Sequence, residues 1–127
     1  MLKAAYRIIM KRSNPIEEKS FAFAVRSVNL YKHLTKNKCE YVLSKQFLRS
    51  STSIGANVSE AARGQSKADF ISKMAIALKE ANEAEYWLRL LYSSEYLSEI
   101  EFESMSRDVN ELIALLVSIC KSANQSD

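Results

Sequence analysis

The chain has 127 residues, of which 47% are hydrophobic and 26% charged, with two glycines, one proline and a formal net charge of +3. This is the length of one domain with enough apolar material for a core, which excludes global disorder, and it has too few turn-forming residues for a sandwich or barrel. Residues 1–63 hold 12 Lys/Arg against 4 Asp/Glu (+8), whereas residues 64–127 hold 6 against 11 (−5). A basic half followed by an acidic half suits complementary helix packing within or between subunits, and an anionic partner for the basic face.

In chain order, residues 1–13 form a basic N-terminal extension with Lys3, Arg7, Lys11 and Arg12 between short apolar stretches. It lacks the continuous apolar run and small-residue cleavage site of a secretory signal, so the protein is expected to stay in the cytoplasm. No stretch approaches the roughly 18 apolar residues of a membrane span. A helical domain is expected over 14–122, followed by a short tail over 123–127.

Three helix starts carry the same chemistry. In Asn14-Pro15-Ile16-Glu17, Asn14 is a capping residue, Pro15 suits the first helical position, and Glu17 falls three residues after the cap. Ser66-Lys67-Ala68-Asp69 repeats the spacing, and Ser98-Glu99-Ile100-Glu101 is a full capping box. Each side-chain oxygen satisfies an orphan N–H, and each carboxylate sits at the positive end of a helix.

The first helix is predicted over about 15–37 with Phe21, Ala24, Val25, Val28, Tyr31 and Leu34 inward. The second covers about 40–62 on a heptad seam of Leu43, Phe47, Ser50, Ile54, Asn57 and Ala61, closed by Gly64 as a C-cap. The third spans about 66–93 through Phe70, Met74, Ala77, Leu78, Ala81, Leu88 and Leu91, with a second apolar edge of Ile71, Trp87 and Leu90. The fourth spans about 99–122 through Phe102, Met105, Val109, Leu112, Leu116 and Ile119. Four rods of this length joined by short loops make an all-α, antiparallel up-down-up-down four-helix bundle.

Within the second helix, Ser50-Ser51-Thr52-Ser53-Ile54-Gly55-Ala56-Asn57 is poor helix material. Small side chains that admit a neighbouring helix, with hydroxyls bonded back to the preceding turn, account for it. The rival reading is a phosphate-binding loop, which lacks the Gly-rich strand-to-helix turn. Cys39 and Cys120 match no zinc or redox spacing and read as reduced thiols.

The run from Gln46 to Ala61, continued through Ser66, Asp69-Phe70, Lys73-Met74, Ala77-Leu78-Lys79-Glu80 and Glu83-Ala84-Glu85-Tyr86-Trp87-Leu88, resembles a known family. It is similar to the four-helix-bundle proteins encoded in the intervening sequences of bacterial 23S rRNA genes, also called S23-type. Glu18-Lys19-Ser20-Phe21-Ala22 fits as well, and the resemblance covers about residues 14–122. It implies a ring-like homopentamer. The family is also similar to the accessory variability protein of diversity-generating retroelements, a basic pentameric barrel that binds nucleic acid and a reverse transcriptase. Such an analogy carries fold better than function.

No catalytic centre, metal site or cofactor is expected. Glu80, Glu83 and Glu85 lack the Glu-x-x-His pairs of di-iron bundles, and the one histidine, His33, lies on another helix as an exposed residue favoured by the helix dipole. Arg49, Ser50, Asn57, Glu60, Glu80, Glu83 and Trp87 read as a structural or oligomer motif. Arg49 is expected to pair with an acid of the third helix, and Asn57 to supply a buried hydrogen bond that fixes register. Lys19, Arg26, Lys32, Lys36, Lys38, Lys45 and Arg49 are the candidate RNA- or DNA-binding residues, since phosphates attract such charges without base contacts. The plainer reading of that face is a solvated one, partly neutralised by acids of a neighbour. A third reading is a protein-binding scaffold that uses the aromatic end formed by Tyr86, Trp87, Tyr92 and Tyr96.

Overall fold

The computed structural model describes residues 14–125, so the basic extension over 1–13 and the last two residues of the tail lie outside the described residues. Four helices follow one another: α1 (Pro15–Lys38), α2 (Leu43–Ala62), α3 (Lys67–Ser93) and α4 (Glu99–Gln125). Three begin on the expected caps. Asn14 Oδ1 accepts from the Ile16 N–H at 3.1 Å, and Ser66 Oγ from the Asp69 N–H at 3.1 Å. Ser98 and Glu101 form the reciprocal box, at 3.1 Å from the Glu101 N–H to Ser98 Oγ and 2.8 Å from the Ser98 N–H to Glu101 Oε1.

Each helix packs on its neighbours in sequence, α1 and α4 close the ring, and the α1–α4 seam is the thinnest. Contacts across each seam run in opposite numerical order. Arg49 meets Glu83 while Glu60 meets Lys73, and Lys19 meets Glu111 while His33 meets Glu101. Numbers that rise on one helix and fall on the next define antiparallel neighbours, so the bundle is up-down-up-down. The core holds Phe23, Leu34, Phe47, Ile54, Phe70, Met74, Leu88, Leu91, Leu112 and Leu116, all fully buried. Burying each such side chain stabilises the fold by about 1.5–3 kcal/mol. Among the described residues, no helix is long and apolar enough to cross a membrane.

Two faces differ from expectation. On α1 the buried residues are Ile16, Ser20, Phe23, Ser27, Leu30 and Leu34, whereas Phe21, Val25 and Val28 point outward. On α2 the buried set is Ser44, Phe47, Ser50, Ser51, Ile54, Val58 and Ala61. The expected and observed seams share Phe47, Ser50, Ile54 and Ala61, while Ser44 and Val58 stand in place of Leu43 and Asn57 one residue on, and Ser51 is added. Both helices turn small residues inward among the large ones, Ser20 and Ser27 on α1 and Ser44, Ser50 and Ser51 on α2. Ser27 Oγ donates to the Phe23 carbonyl at 2.8 Å and Ser44 Oγ to the Glu40 carbonyl at 2.8 Å. Ser20, Ser50, Ser51, Thr52 and Ser53 likewise donate to carbonyls three or four residues back. The buried hydroxyls are therefore satisfied within their own helices.

The turns also depart from the glycine rule. Left-handed backbone falls at Cys39 (φ 54°) and Glu95 (φ 69°), and Gly64 has no positive φ. Gly64 is needed for space instead, because a Cβ there would lie 3.2 Å from the Ala61 carbonyl oxygen and 3.4 Å from Asp69 Cβ. At the other end of the chain, α4 continues three residues past the expected boundary at 122, and Ala123 is buried.

The start of α2 has no Ser, Thr, Asp or Asn cap. Its orphan N–H groups are taken by Glu40, whose buried carboxylate accepts from Val42 N at 3.1 Å, Leu43 N at 2.9 Å and Ser44 N at 2.6 Å. Burial alone pushes the Glu40 carboxyl up. The N–H groups of Leu43, Ser44 and Val42 outweigh it and hold the carboxyl below the ordinary range. The fold thus favours ionised Glu40, and this contribution is complete above the ordinary carboxylate value and lost as pH falls through the lowered one. Glu40→Gln is expected to lower stability by about 1–2 kcal/mol at neutral pH in urea denaturation. It should also flatten the loss of stability in acid, and an unchanged midpoint would show that the carboxylate carries no weight.

Candidate functional site

Of the seven cations expected on an anion-binding face, three are engaged across helix seams. Lys19 Nζ lies 2.9 Å from Glu111 Oε2, a hydrogen bond that holds the ammonium above its ordinary pKa. Arg26 pairs with Asp108 and donates to Ser104 Oγ at 2.7 Å. Arg49 pairs with Glu83 and lies 3.7 Å from Glu80. The antiparallel ring sets basic α1 beside acidic α4 and basic α2 beside acidic α3, so part of the chain's charge asymmetry is answered inside one subunit. Lys19, Arg26 and Arg49 are therefore seam ties rather than free cations.

Lys32, Lys36, Lys38 and Lys45 make no ion pair with any described residue, and all four are exposed. Lys32 to Lys38 occupy the last two turns of α1, and Lys45 the first turn of α2. The α1–α2 hairpin thus gathers four unneutralised ammonium groups at one end of the bundle. The only carboxylate between them, Glu40, is turned inward on the backbone of α2.

The motif residues form a second cluster, on the α2–α3 seam. Glu83 accepts from Arg49 and, at 3.2 Å, from Trp87 Nε1, while the Trp87 ring stands edge-on to Tyr86 at 5.1 Å. Lys73 Nζ reaches Glu60 at 2.9 Å, which raises the Lys73 pKa. Ser50 is buried in the seam. Asn57 does not have the register role expected of it. It is half-buried, and its Nδ2 donates to the Ser53 carbonyl of its own helix at 2.8 Å, leaving the core position to Val58. His33 is also less free than expected: its Nδ1 lies 2.8 Å from Asn37 Nδ2, and its Nε2 3.7 Å from Glu101.

The outward face of α1 is the feature that sequence reasoning placed on the wrong side. Phe21 is 72% exposed, and Val25 and Val28 follow it four and seven residues on. Beside them runs a groove of about 370 Å³ between α1 and α2, bordered by Phe21, Ala24, Thr52, Gly55, Ala56 and Ser59. Its floor is shallow because the helices are close, with the Ser20 carbonyl oxygen 3.4 Å from the position of a Cβ on Gly55. Among the described residues, no group of three or more His, Cys, Asp or Glu side chains is placed to hold a metal ion.

Comparison with known proteins fits this architecture. Residues 12–118 match the model of the family described as 23S rRNA-intervening sequence protein. The crystal structure of a protein of unknown function from the S23 ribosomal protein family of Bacteroides thetaiotaomicron is 55% identical. The match covers 87% of this chain and 99% of that one, with a TM-score of 0.85. No curated protein matches the chain.

In the α2–α3 cluster, Arg49 is the one cation between Glu80 and Glu83, and the Glu80 side chain is only 14% exposed. Arg49→Met is expected to cost about 1–2 kcal/mol of stability, because it leaves two carboxylates facing each other. Glu83→Gln in the same background should recover part of that loss, as read from a double-mutant cycle of urea midpoints. Strictly additive effects would show that the three groups do not interact.

Proposed function

The chain belongs to the 23S rRNA-intervening sequence protein family, and on that premise we propose that it is a non-enzymatic cytoplasmic accessory protein that binds RNA or DNA without reading sequence. The reading rests on one observation, the four exposed and unpaired lysines Lys32, Lys36, Lys38 and Lys45 at the α1–α2 tip. Ammonium groups on flexible stems attract phosphates and release counterions, and they do so whatever the bases are.

The same reading includes self-association. Phe21, Val25 and Val28 form an outward apolar stripe beside a groove of small residues, and the occupant that fits is a second copy of the chain. The basic first half and acidic second half orient such copies head to tail, α1–α2 of one against α3–α4 of the next. A head-to-tail contact that closes makes a ring, and the resemblance implies five members. Repetition of the lysine tip around a ring raises effective concentration along one strand. The alternative is a protein-interaction scaffold without nucleic acid, which draws on Tyr86, 48% exposed, beside Trp87.

Fluorescence anisotropy with labelled RNA and DNA across a salt series tests the first part. Affinity is expected to fall steeply with salt, and changing Lys32, Lys36 and Lys45 together to Glu should lower the log–log slope by about 2–3. No binding at low salt would retire the nucleic-acid reading in favour of the scaffold. Light scattering on Phe21→Asp tests the second part: the wild-type protein should be an oligomer and the variant a monomer. A monomeric wild type, or an oligomer indifferent to the change, would remove self-association through α1.

A further inference from the structure

The α1–α2 tip presents an aromatic ring among its lysines. Tyr41 is 59% exposed and Val42 is 69% exposed, in a loop of four residues between Lys38 and Leu43. Exposed apolar surface at a short loop calls for a reason, since Tyr96, in the loop between α3 and α4, is partly buried and packs on the core.

The loop is held on both sides of Tyr41. Before it, the N–H groups of Cys39 and Glu40 both donate to the Leu34 carbonyl, the latter at 3.0 Å, and Cys39 adopts the left-handed conformation that turns the chain. After it, the N–H groups of Val42, Leu43 and Ser44 are gripped by the Glu40 carboxylate. The ring is therefore presented by a backbone with little freedom left to lose on binding. Lys36 and Lys38 precede it in the last turn of α1 and Lys45 follows it in the first turn of α2, while the one carboxylate of the loop points inward.

A fixed aromatic ring set among cations is the arrangement that suits an unpaired strand. Phosphates answer the lysines, and a base whose face is free stacks on the ring. A base in a duplex has both faces covered by its neighbours, so a duplex offers the tip only its phosphates. We propose that this tip selects single-stranded nucleic acid, with Tyr41 as a stacking platform for one unpaired base and Lys36, Lys38 and Lys45 holding the flanking phosphates. The proposal rests on the phosphate-binding reading of the lysine tip and adds to it a preference for unpaired strands.

The experiment compares full-length wild type, Tyr41→Ala and Tyr41→Phe against labelled single-stranded RNA, single-stranded DNA and the corresponding duplexes, all of one length, by anisotropy at fixed low salt. The expected result is tighter binding of single strands than of duplex by the wild type. Tyr41→Ala should weaken single-strand binding about 5- to 150-fold and leave duplex binding unchanged, with Tyr41→Phe retaining wild-type affinity. Circular dichroism melts confirm that this exposed position leaves the fold intact. Equal single-strand affinity for wild type and Tyr41→Ala, with binding still lost when Lys32, Lys36 and Lys45 become Glu, overturns the stacking role while the phosphate-binding tip stands. Absence of binding to every probe by the wild type overturns both. Preference for RNA or DNA among the single strands, with the Tyr41→Ala loss present in that arm, supports the proposal and names the source.

Discussion

The bundle depends on how closely α1 can approach α2. Ser20 on one helix stands against Gly55 on the other, where the gap is barely wide enough for a methyl group, and the two helices bury Ser20, Ser27, Ser44, Ser50 and Ser51. So many serines, with a glycine, are costly in a helix by propensity alone. The cost is offset in two ways. The buried hydroxyls find acceptors one turn back, so no orphaned polar group is carried into the seam. The short separation also lets Phe23 and Phe47 meet edge to face at 6.3 Å in the centre of the core. Because α1 has only a thin contact with α4, much of it ionic, its seat on α2 is what fixes its rotation.

That rotation divides the charges of the basic half into two kinds. Cations along the body of the hairpin fall over the seams, where Lys19 and Arg26 meet α4 and Arg49 meets α3. Pairs this exposed add little stability one by one, but they give the ring its order, since each joins the basic hairpin to the acidic one. Cations at the end of the hairpin have no such neighbours. The cations of the α1–α2 hairpin thus have an internal share, spent on assembly of the subunit, and an external share collected at the tip.

Three of the four helix starts could be read from sequence because a cap is local: a side-chain oxygen, a backbone N–H and an acid three residues on. The start of α2 could not, since Glu40 reaches forward from outside the helix and is not a residue type expected to cap. The inward faces of α3 and α4 were readable to within a residue or two because their large residues lie on one stripe, Met74, Leu88 and Leu91 on one and Met105, Val109 and Leu116 on the other. On α1 and α2 two stripes compete. Phe21, Val25 and Val28 form one apolar stripe, and Ile16, Phe23, Leu30 and Leu34, interrupted by Ser20 and Ser27, form another; closeness of fit to α2 decides for the second. Asn57 was misplaced because the expected heptad seam falls one position short of Val58, the apolar residue that takes the core position. The lysines were visible as charges, and which of them stay free became visible only once α4 lay beside α1.

A sequence that places Phe21, Val25 and Val28 outward on a helix whose buried face already holds Ile16, Phe23, Leu30 and Leu34 leaves a second apolar stripe to water. Each such side chain would stabilise the protein by about 1.5–3 kcal/mol if covered. The outer stripe is therefore not explained by the stability of the isolated bundle, and it is explained if it has an occupant. The stripe ends at Val28 and the tip begins at Lys32, roughly 6 Å further along the helix axis at 1.5 Å per residue, and runs on through Lys38. Covering the one leaves the other open. A single rigid helix would then hold the contact between copies at its middle and the lysines and Tyr41 at its end, so that assembly sets the spacing at which successive tips meet a strand.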